Sequence, residues 1–252
     1  MVFEIARSDG SGGSQSCVCK RLSPRMVREE QAQQAIRHEA RALQALAGRG
    51  APSWIADGDD ERGPFVVMER IPFPSLAART DRCDRAFLDR ATRSAFLSLA
   101  LIHEASDERG WLAMVHGDLS PSNLLVSSSG EETRLIDFGL ATWRDAQREA
   151  GGAFRGTLLY AAPEVARGEA FDARADLFAL AASLAHAALG APLRTSSTSA
   201  ALLAEAAEKP IDPLLLEGHF SPDILEFLCS CLAFDREDRP RRVPTTEVEE
   251  RT

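Results

Sequence analysis

His116-Gly117-Asp118-Leu119-Ser120-Pro121-Ser122-Asn123 sets an Asp and an Asn five residues apart in a loop that runs into a short apolar stretch, Asn123 to Val126. Thr133 to Ile136 is a second such stretch, and the Ser127-Ser128-Ser129-Gly130 turn between them predicts a small hairpin. Fourteen residues beyond Asn123, directly after Leu135-Ile136, comes Asp137-Phe138-Gly139. Gly156-Thr157-Leu158-Leu159-Tyr160-Ala161-Ala162-Pro163-Glu164 follows, and then Asp176 opens a helix expected over 176–189. The uncharged run Leu177 to Leu193 has 17 residues, many of them alanine. That is short and weakly apolar for a membrane span, so it reads as a buried core helix.

Working outward, Val2 to Ala6 alternates as a short strand does, and Ser8 to Ser16 is a polar, flexible turn. Cys17 to Leu22 reads as a second strand. Val27 to Ala47 has helical spacing, with Ala35, Ile36, Leu43 and Leu46 on one face and Gly48 as the stop. Ser53 to Ala56 and Phe65 to Ile71 read as two further strands around a polar turn, Asp57 to Gly63, before Pro72 and Pro74. Beyond them the chain turns helical, with long segments at Arg85 to Ala105 and Ser221 to Phe234. Strands first and helices after predict an α+β fold of two lobes. A small antiparallel-sheet lobe with one helix is expected over residues 1–71, and a larger helical lobe over 72–252.

The 252 residues carry 29 Lys and Arg against 38 Asp and Glu, a net charge of −9. An acidic chain without a basic cluster is poorly suited to gripping nucleic acid or an anionic membrane. Cys17, Cys19, Cys83, Cys229 and Cys231 are odd in number and paired as C-x-C, which argues against a disulfide framework and a zinc site. Buried thiols in a reducing cytosol are the expectation. Met1-Val2-Phe3-Glu4 lacks the pattern of a secretory leader, so the protein is expected to be cytoplasmic. Of the 29 cations only Lys20 and Lys209 are lysines, so a retained lysine calls for a chemical reason.

Taken together, the H-x-D-x-x-x-x-N loop, D-F-G, the G-T-x-x-Y-x-A-P-E segment and the Asp opening the buried helix resemble the protein kinase family, over roughly residues 2 to 243. Asp238-Arg239-Pro240 resembles that family's late arginine, which pairs with the A-P-E glutamate, here Glu164. The resemblance implies transfer of phosphate from ATP, with Mg²⁺, to a protein substrate. It implies that Asp118 accepts the proton of the attacking hydroxyl, while Asn123 and Asp137 supply the hard oxygen ligands that suit Mg²⁺. Gly139 would let the chain turn sharply after Asp137.

By the same resemblance Lys20, at the end of an alternating strand, would hold the nucleotide's phosphates, where a compact ammonium does what a planar guanidinium would not. Glu39, on the first helix, would hold Lys20. Two such charges about 4 Å apart at an effective dielectric near 20 attract by about 4 kcal/mol before desolvation, enough to order a site. Leu43, His116 and Phe138 would stack in an apolar column joining the lobes. Met68 would flank the back of the adenine pocket, Glu69 to Ile71 would offer backbone hydrogen bonds, and Leu125 counts among the nucleotide-binding residues.

Three departures from the family stand out. Gly10 to Gly13 lies only seven residues ahead of Lys20 and reads as the turn between the family's second and third strands. The glycine-rich loop that covers the phosphates is therefore expected to be missing, and Met1 falls within its place. Gly117 stands where most protein kinases carry Arg, and Ser120 where Ser/Thr kinases usually carry Lys. Activity is therefore expected not to need a phosphate on the activation segment, where Thr142 is the free acceptor with Arg144, Arg148 and Arg155 near it in sequence. H-G-D also occurs in phosphotransferases that act on small alcohols, but those lack the segment 156–164, and Thr157 resembles the Ser/Thr class. The reading is a bacterial-type Ser/Thr protein kinase domain. A pseudokinase scaffold and a small-molecule alcohol phosphotransferase are the alternatives.

Overall fold

Alternating side chains, a polar connection and a return strand give the first antiparallel pair. The computed structural model describes residues 2–8, 14–79, 83–146 and 156–244. β1 (Val2–Ser8) pairs with β2 (Ser14–Arg21) from Val2↔Lys20 to Ser8↔Ser14. Both strands thus run into the polar stretch expected to be a turn, and the expected Gly10 to Gly13 turn lies outside the described residues. α1 (Glu30–Leu46) follows, three residues later than its spacing predicts, because 24–28 form a turn with Met26 N–H on the Ser23 carbonyl. It ends at Ala47, left-handed at φ +50°, one residue before the expected glycine.

β3 (Trp54–Asp60) and β4 (Gly63–Glu69) complete a sheet of order β1-β2-β4-β3, all antiparallel, on which α1 packs. The sequence reading stopped β3 at Ala56, since three Asp and a Gly follow. The strand continues because each carboxylate meets a donor from a neighbouring element. Asp57 takes Trp54 Nε1 and Gln44 Nε2, Asp59 takes Arg37, and Asp60 takes Arg21. Gly58 lies under the Phe65 ring, which a Cβ would approach to 3.1 Å. Strand preference reflects such surroundings more than the residue alone.

The remaining elements are mostly helical. α2 (Arg85–His103) starts at Asp84, whose carboxylate caps the Phe87 N–H at 2.7 Å. Two short hairpins follow, β5 (Ser106–Asp107) with β6 (Gly110–Trp111), and β7 (Leu124–Val126) with β8 (Thr133–Leu135) in the register Leu124↔Leu135. Then come α3 (Pro163–Ala166), α4 (Ala173–Leu189), α5 (Ser199–Glu208) and α6 (Pro222–Cys231). The hairpin β7–β8 and the buried α4 agree with the sequence reading. β5–β6, α3 and α5 were not legible. In α5 only Ala206 is fully buried, so no apolar stripe marks it.

This is the two-lobed α+β arrangement, and one hydrophobic cluster runs through it. Leu43 and Leu46 of α1, Leu99 of α2, Leu124 and Leu135 of the hairpin, and Phe178 and Leu180 of α4 all belong to it. Among the described residues no helix is long and apolar enough to cross a membrane. Of the five cysteines Cys17 and Cys231 are buried; Cys19, Cys83 and Cys229 are half-buried, which corrects the expectation for those three.

Candidate active site

Residues opposite each other in an antiparallel pair share a face, so Lys20↔Val66 and Val18↔Met68 put Met68 on the face from which Lys20 projects. The Lys20 ammonium lies 2.7 Å from Glu39 Oε2 and 2.8 Å from Asp137 Oδ1. Glu39 is 2% exposed, so α1 delivers its carboxylate in a dry setting. Burial alone would lower the Lys20 pKa, but the two carboxylates outweigh it and hold the amine charged well into the alkaline range. For Asp137 burial pushes up, yet Lys20 wins and holds the carboxyl below its usual range, helped by the Gly139 N–H.

Asp137 itself is the turn. Its φ is +68°, while Gly139 is not left-handed and a Cβ there would meet only ordinary contacts, the nearest at 3.5 Å. Gly139 therefore serves as a donor to Asp137 rather than as the bend expected of it. Phe138, fully buried, packs on His116 with ring centroids 4.6 Å apart and the rings tilted by 52°. Leu43, His116 and Phe138 are all buried.

The backbone of His116 and Gly117 is held by Asp176, the residue expected to open the buried helix; α4 in fact begins three residues earlier, capped by Asp172. Asp176 Oδ2 accepts the His116 N–H at 2.7 Å and Oδ1 the Gly117 N–H at 2.9 Å. His103 Nε2 adds a third contact at 2.9 Å. His103 gave no signal in the sequence, where it was one polar residue at a helix end. Gly117 has φ +78°, and a Cβ there would lie 2.9 Å from the Leu140 carbonyl, so glycine meets the local geometry.

Asp118 Oδ1 accepts the Thr157 N–H at 2.8 Å and the Thr157 hydroxyl at 2.9 Å. Burial raises the Asp118 pKa, with Thr157 pulling against it. Two carboxylates of one site are thus pushed in opposite directions, which is how acid–base roles divide. Asn123 Nδ2 donates to the Asp118 carbonyl at 2.8 Å, which sets the orientation of its amide and so of the amide oxygen. Ser120 is buried.

The other nucleotide-binding candidates fall as follows. Met68 is buried; Glu69 and Ile71 are half-buried at the end of β4 and just beyond it. The Glu69 N–H is already used by the Ser53 carbonyl, and its side chain by the Ser53 N–H, so its backbone N–H is not free as expected. Leu125 is the half-buried residue of β7, bridged to Ser75, between buried Leu124 and Val126.

Glu164 and Arg239 form the expected pair, Nη1 to Oε1 at 2.7 Å and Nη2 to Oε2 at 2.9 Å, both buried. Arg144 does not turn to Thr142: it binds Asp107 and Asp145, and Arg148 and Arg155 lie outside the described residues. A further contact the sequence did not announce is His38 Nε2 with the Ala141 carbonyl at 2.6 Å, tying α1 to the residues after Gly139.

Comparison with known proteins decides the family. The family model of the protein kinase domain matches residues 9–248. The chain belongs to the protein kinase family. Tyrosine-protein kinase MasK of Myxococcus xanthus is 29% identical over 98% of this chain and 39% of its own length. The DNA damage-responsive serine/threonine-protein kinase RqkA of Deinococcus radiodurans is 35% identical over 60% of this chain and 22% of its own. A probable serine/threonine-protein kinase PknB of Bifidobacterium longum is 27% identical over 72% and 26%. The kinase domain described here thus spans between about a fifth and two fifths of these relatives' lengths. The family's chemistry takes ATP and a divalent metal.

Proposed function

We propose that this kinase domain transfers the γ-phosphoryl group of ATP to Ser or Thr hydroxyls of a protein substrate. The observation that carries the reading is the Lys20 ammonium held between Glu39 and Asp137, on the face it shares with Met68. A scaffold that performs no transfer has no physical use for a charged amine fixed between two carboxylates. Lys20 takes the α- and β-phosphates, and Glu39 keeps it aimed. Met68, the backbone of Arg70 and Ile71, and Leu125 line the adenine, with the lobes dividing after residue 71.

Asp118 accepts the proton of the attacking hydroxyl, and its raised pKa makes it a stronger base than an ordinary carboxylate. The donor set fits Mg²⁺. Asn123 and Asp137 are hard oxygen donors, and no group of three or more His, Cys, Asp or Glu among the described residues could cage a metal alone. Such a site suits an ion that keeps phosphate oxygens and water in its shell. Mg²⁺ held there would neutralise phosphate charge, as phosphoryl transfer demands.

The Thr157 hydroxyl beside Asp118 supports an aliphatic hydroxyl acceptor, as do the serine/threonine relatives against the tyrosine-named one. The odd number of cysteines, paired as C-x-C, and the net charge of −9 support a reducing, cytoplasmic setting without nucleic-acid or membrane partners. Phosphoamino-acid analysis of a generic acceptor after incubation with ATP and Mg²⁺ tests the acceptor class. Phosphoserine or phosphothreonine is expected, and phosphotyrosine alone would overturn it.

A further inference from the structure

Arg194 follows α4 by five residues and is 2% exposed. Its Nη1 donates to the Ala161 carbonyl at 2.6 Å and to the Leu158 carbonyl at 3.2 Å. Its guanidinium carbon lies 5.4 Å from the Phe178 ring centroid, the same ring on which Arg239 packs at 4.9 Å. Nε and Nη2 are buried with no hydrogen-bond partner among the described residues. Glu205 influences it only from a distance, since its Oε2 accepts the Ser196 N–H, and burial pulls the guanidinium pKa down to about 10.

A buried cation with two idle donors is costly, and an apolar side chain of similar volume would fill the same space more cheaply. The compensating gain has to lie in what Nη1 holds. Leu158 and Ala161 bracket Tyr160 and directly follow Thr157, whose N–H and hydroxyl grip Asp118. Arg239 anchors the far end of this segment through Glu164, which leaves the stretch from Thr157 to Ala162 to be fixed from the α4 side.

We propose that Arg194 is a positioning residue for the protein acceptor: by tying the carbonyls of Leu158 and Ala161 together it fixes the segment that presents the acceptor hydroxyl to Asp118. The proposal rests on the kinase reading above. It assigns to Arg194 an effect on the acceptor and none on ATP, which a plain core residue would not produce.

The test uses casein as acceptor and Arg194→Met, which keeps an apolar stem against Phe178 and removes every donor. The KM for casein is expected to rise at least fivefold while the KM for ATP stays within twofold. Amide exchange over 158–162 is expected to quicken at least tenfold, with α4 protected as in the parent protein. Unchanged exchange over 158–162, or the two KM values rising together, would overturn the proposal. Arg194→Lys keeps the charge, but its ammonium ends one bond short of the Nη1 position and cannot reach both carbonyls in full, so it should show the same changes at intermediate size. If Arg194→Met does not fold, a Lys variant indistinguishable from the parent protein overturns the proposal. If the parent protein transfers nothing to casein, the kinase reading fails on that arm, and exchange, which needs no turnover, still decides what Arg194 holds.

Discussion

Removing Arg239 strips the Glu164 carboxylate of its cation in a place where water cannot replace it. In the pair Arg239 is fully buried and Glu164 is 2% exposed at the side chain. Arg239 also donates from Nε to the Ala233 carbonyl at 2.7 Å and from Nη2 to the Phe234 carbonyl at 3.1 Å. Breaking a buried pair from one side leaves an uncompensated charge and costs about 3–5 kcal/mol. In a domain of this size 1 kcal/mol moves Tm by roughly 2–4 °C, so Arg239→Ala should lower Tm by roughly 6–20 °C. Because the stranded charge is the larger part of that loss, Arg239→Ala with Glu164→Gln should be more stable than Arg239→Ala alone. Calorimetric and urea unfolding of the parent, both single variants and the double variant measure this. A loss below about 1 kcal/mol for Arg239→Ala, or a double variant as unstable as the sum of the singles, would refute the reasoning.

Lys20→Arg should leave the protein folded and slow transfer at least a hundredfold, about 2.7 kcal/mol of transition-state stabilisation, because a guanidinium cannot sit between Glu39 and Asp137 as the ammonium does; turnover close to that of the parent would remove Lys20 from the phosphate site. The two site carboxylates should show opposite pH linkage. Asp118 has a raised folded pKa, so its ionisation opposes folding: Asp118→Asn should raise Tm near neutral pH, with the gain fading as pH falls through the Asp118 value. Asp137 has a depressed folded pKa and contributes stability present above its unfolded value near 4 and lost as pH falls further, so Asp137→Asn should lower Tm at neutral pH only. Unfolding scans across pH 3 to 8 check both signs, and a shared sign would contradict the site's electrostatics. Thr142→Ala should leave transfer within tenfold of the parent rate, since Arg144 is committed to Asp107 and Asp145; a larger fall would mean that a phosphate at Thr142 is needed.

The site was legible where its chemistry dictates residue type at fixed spacing. Lys20, Glu39, Asp118, Asn123, Asp137, Glu164 and Arg239 were all read from motifs, and the structure brings Lys20 to Glu39 and Asp137, and Glu164 to Arg239. What escaped depends on contacts between distant elements. The continuation of β3 through Asp57 to Asp60 needed donors from α1 and β2, which no local pattern announces. The bend at Asp137 was assigned to Gly139 because glycine is the usual bearer of a positive φ, yet here the neighbouring Asp carries it. His103 and Arg194 look like ordinary polar residues in sequence, and only the fold sets one under Asp176 and the other under Leu158 and Ala161.

The central claim is that Asp118 takes the proton in a phosphoryl transfer organised by Lys20, Asn123 and Asp137. Its most direct test is the rate of label transfer from γ-labelled ATP, with Mg²⁺, to a protein acceptor by the parent domain and by Asp118→Asn. Asparagine keeps an oxygen for the Thr157 donors but cannot accept the proton. The account predicts clear transfer by the parent and a fall of about 10²–10⁴-fold in the folded variant, the usual range for loss of a general base. Label transferred by Asp118→Asn at a rate near that of the parent would contradict it.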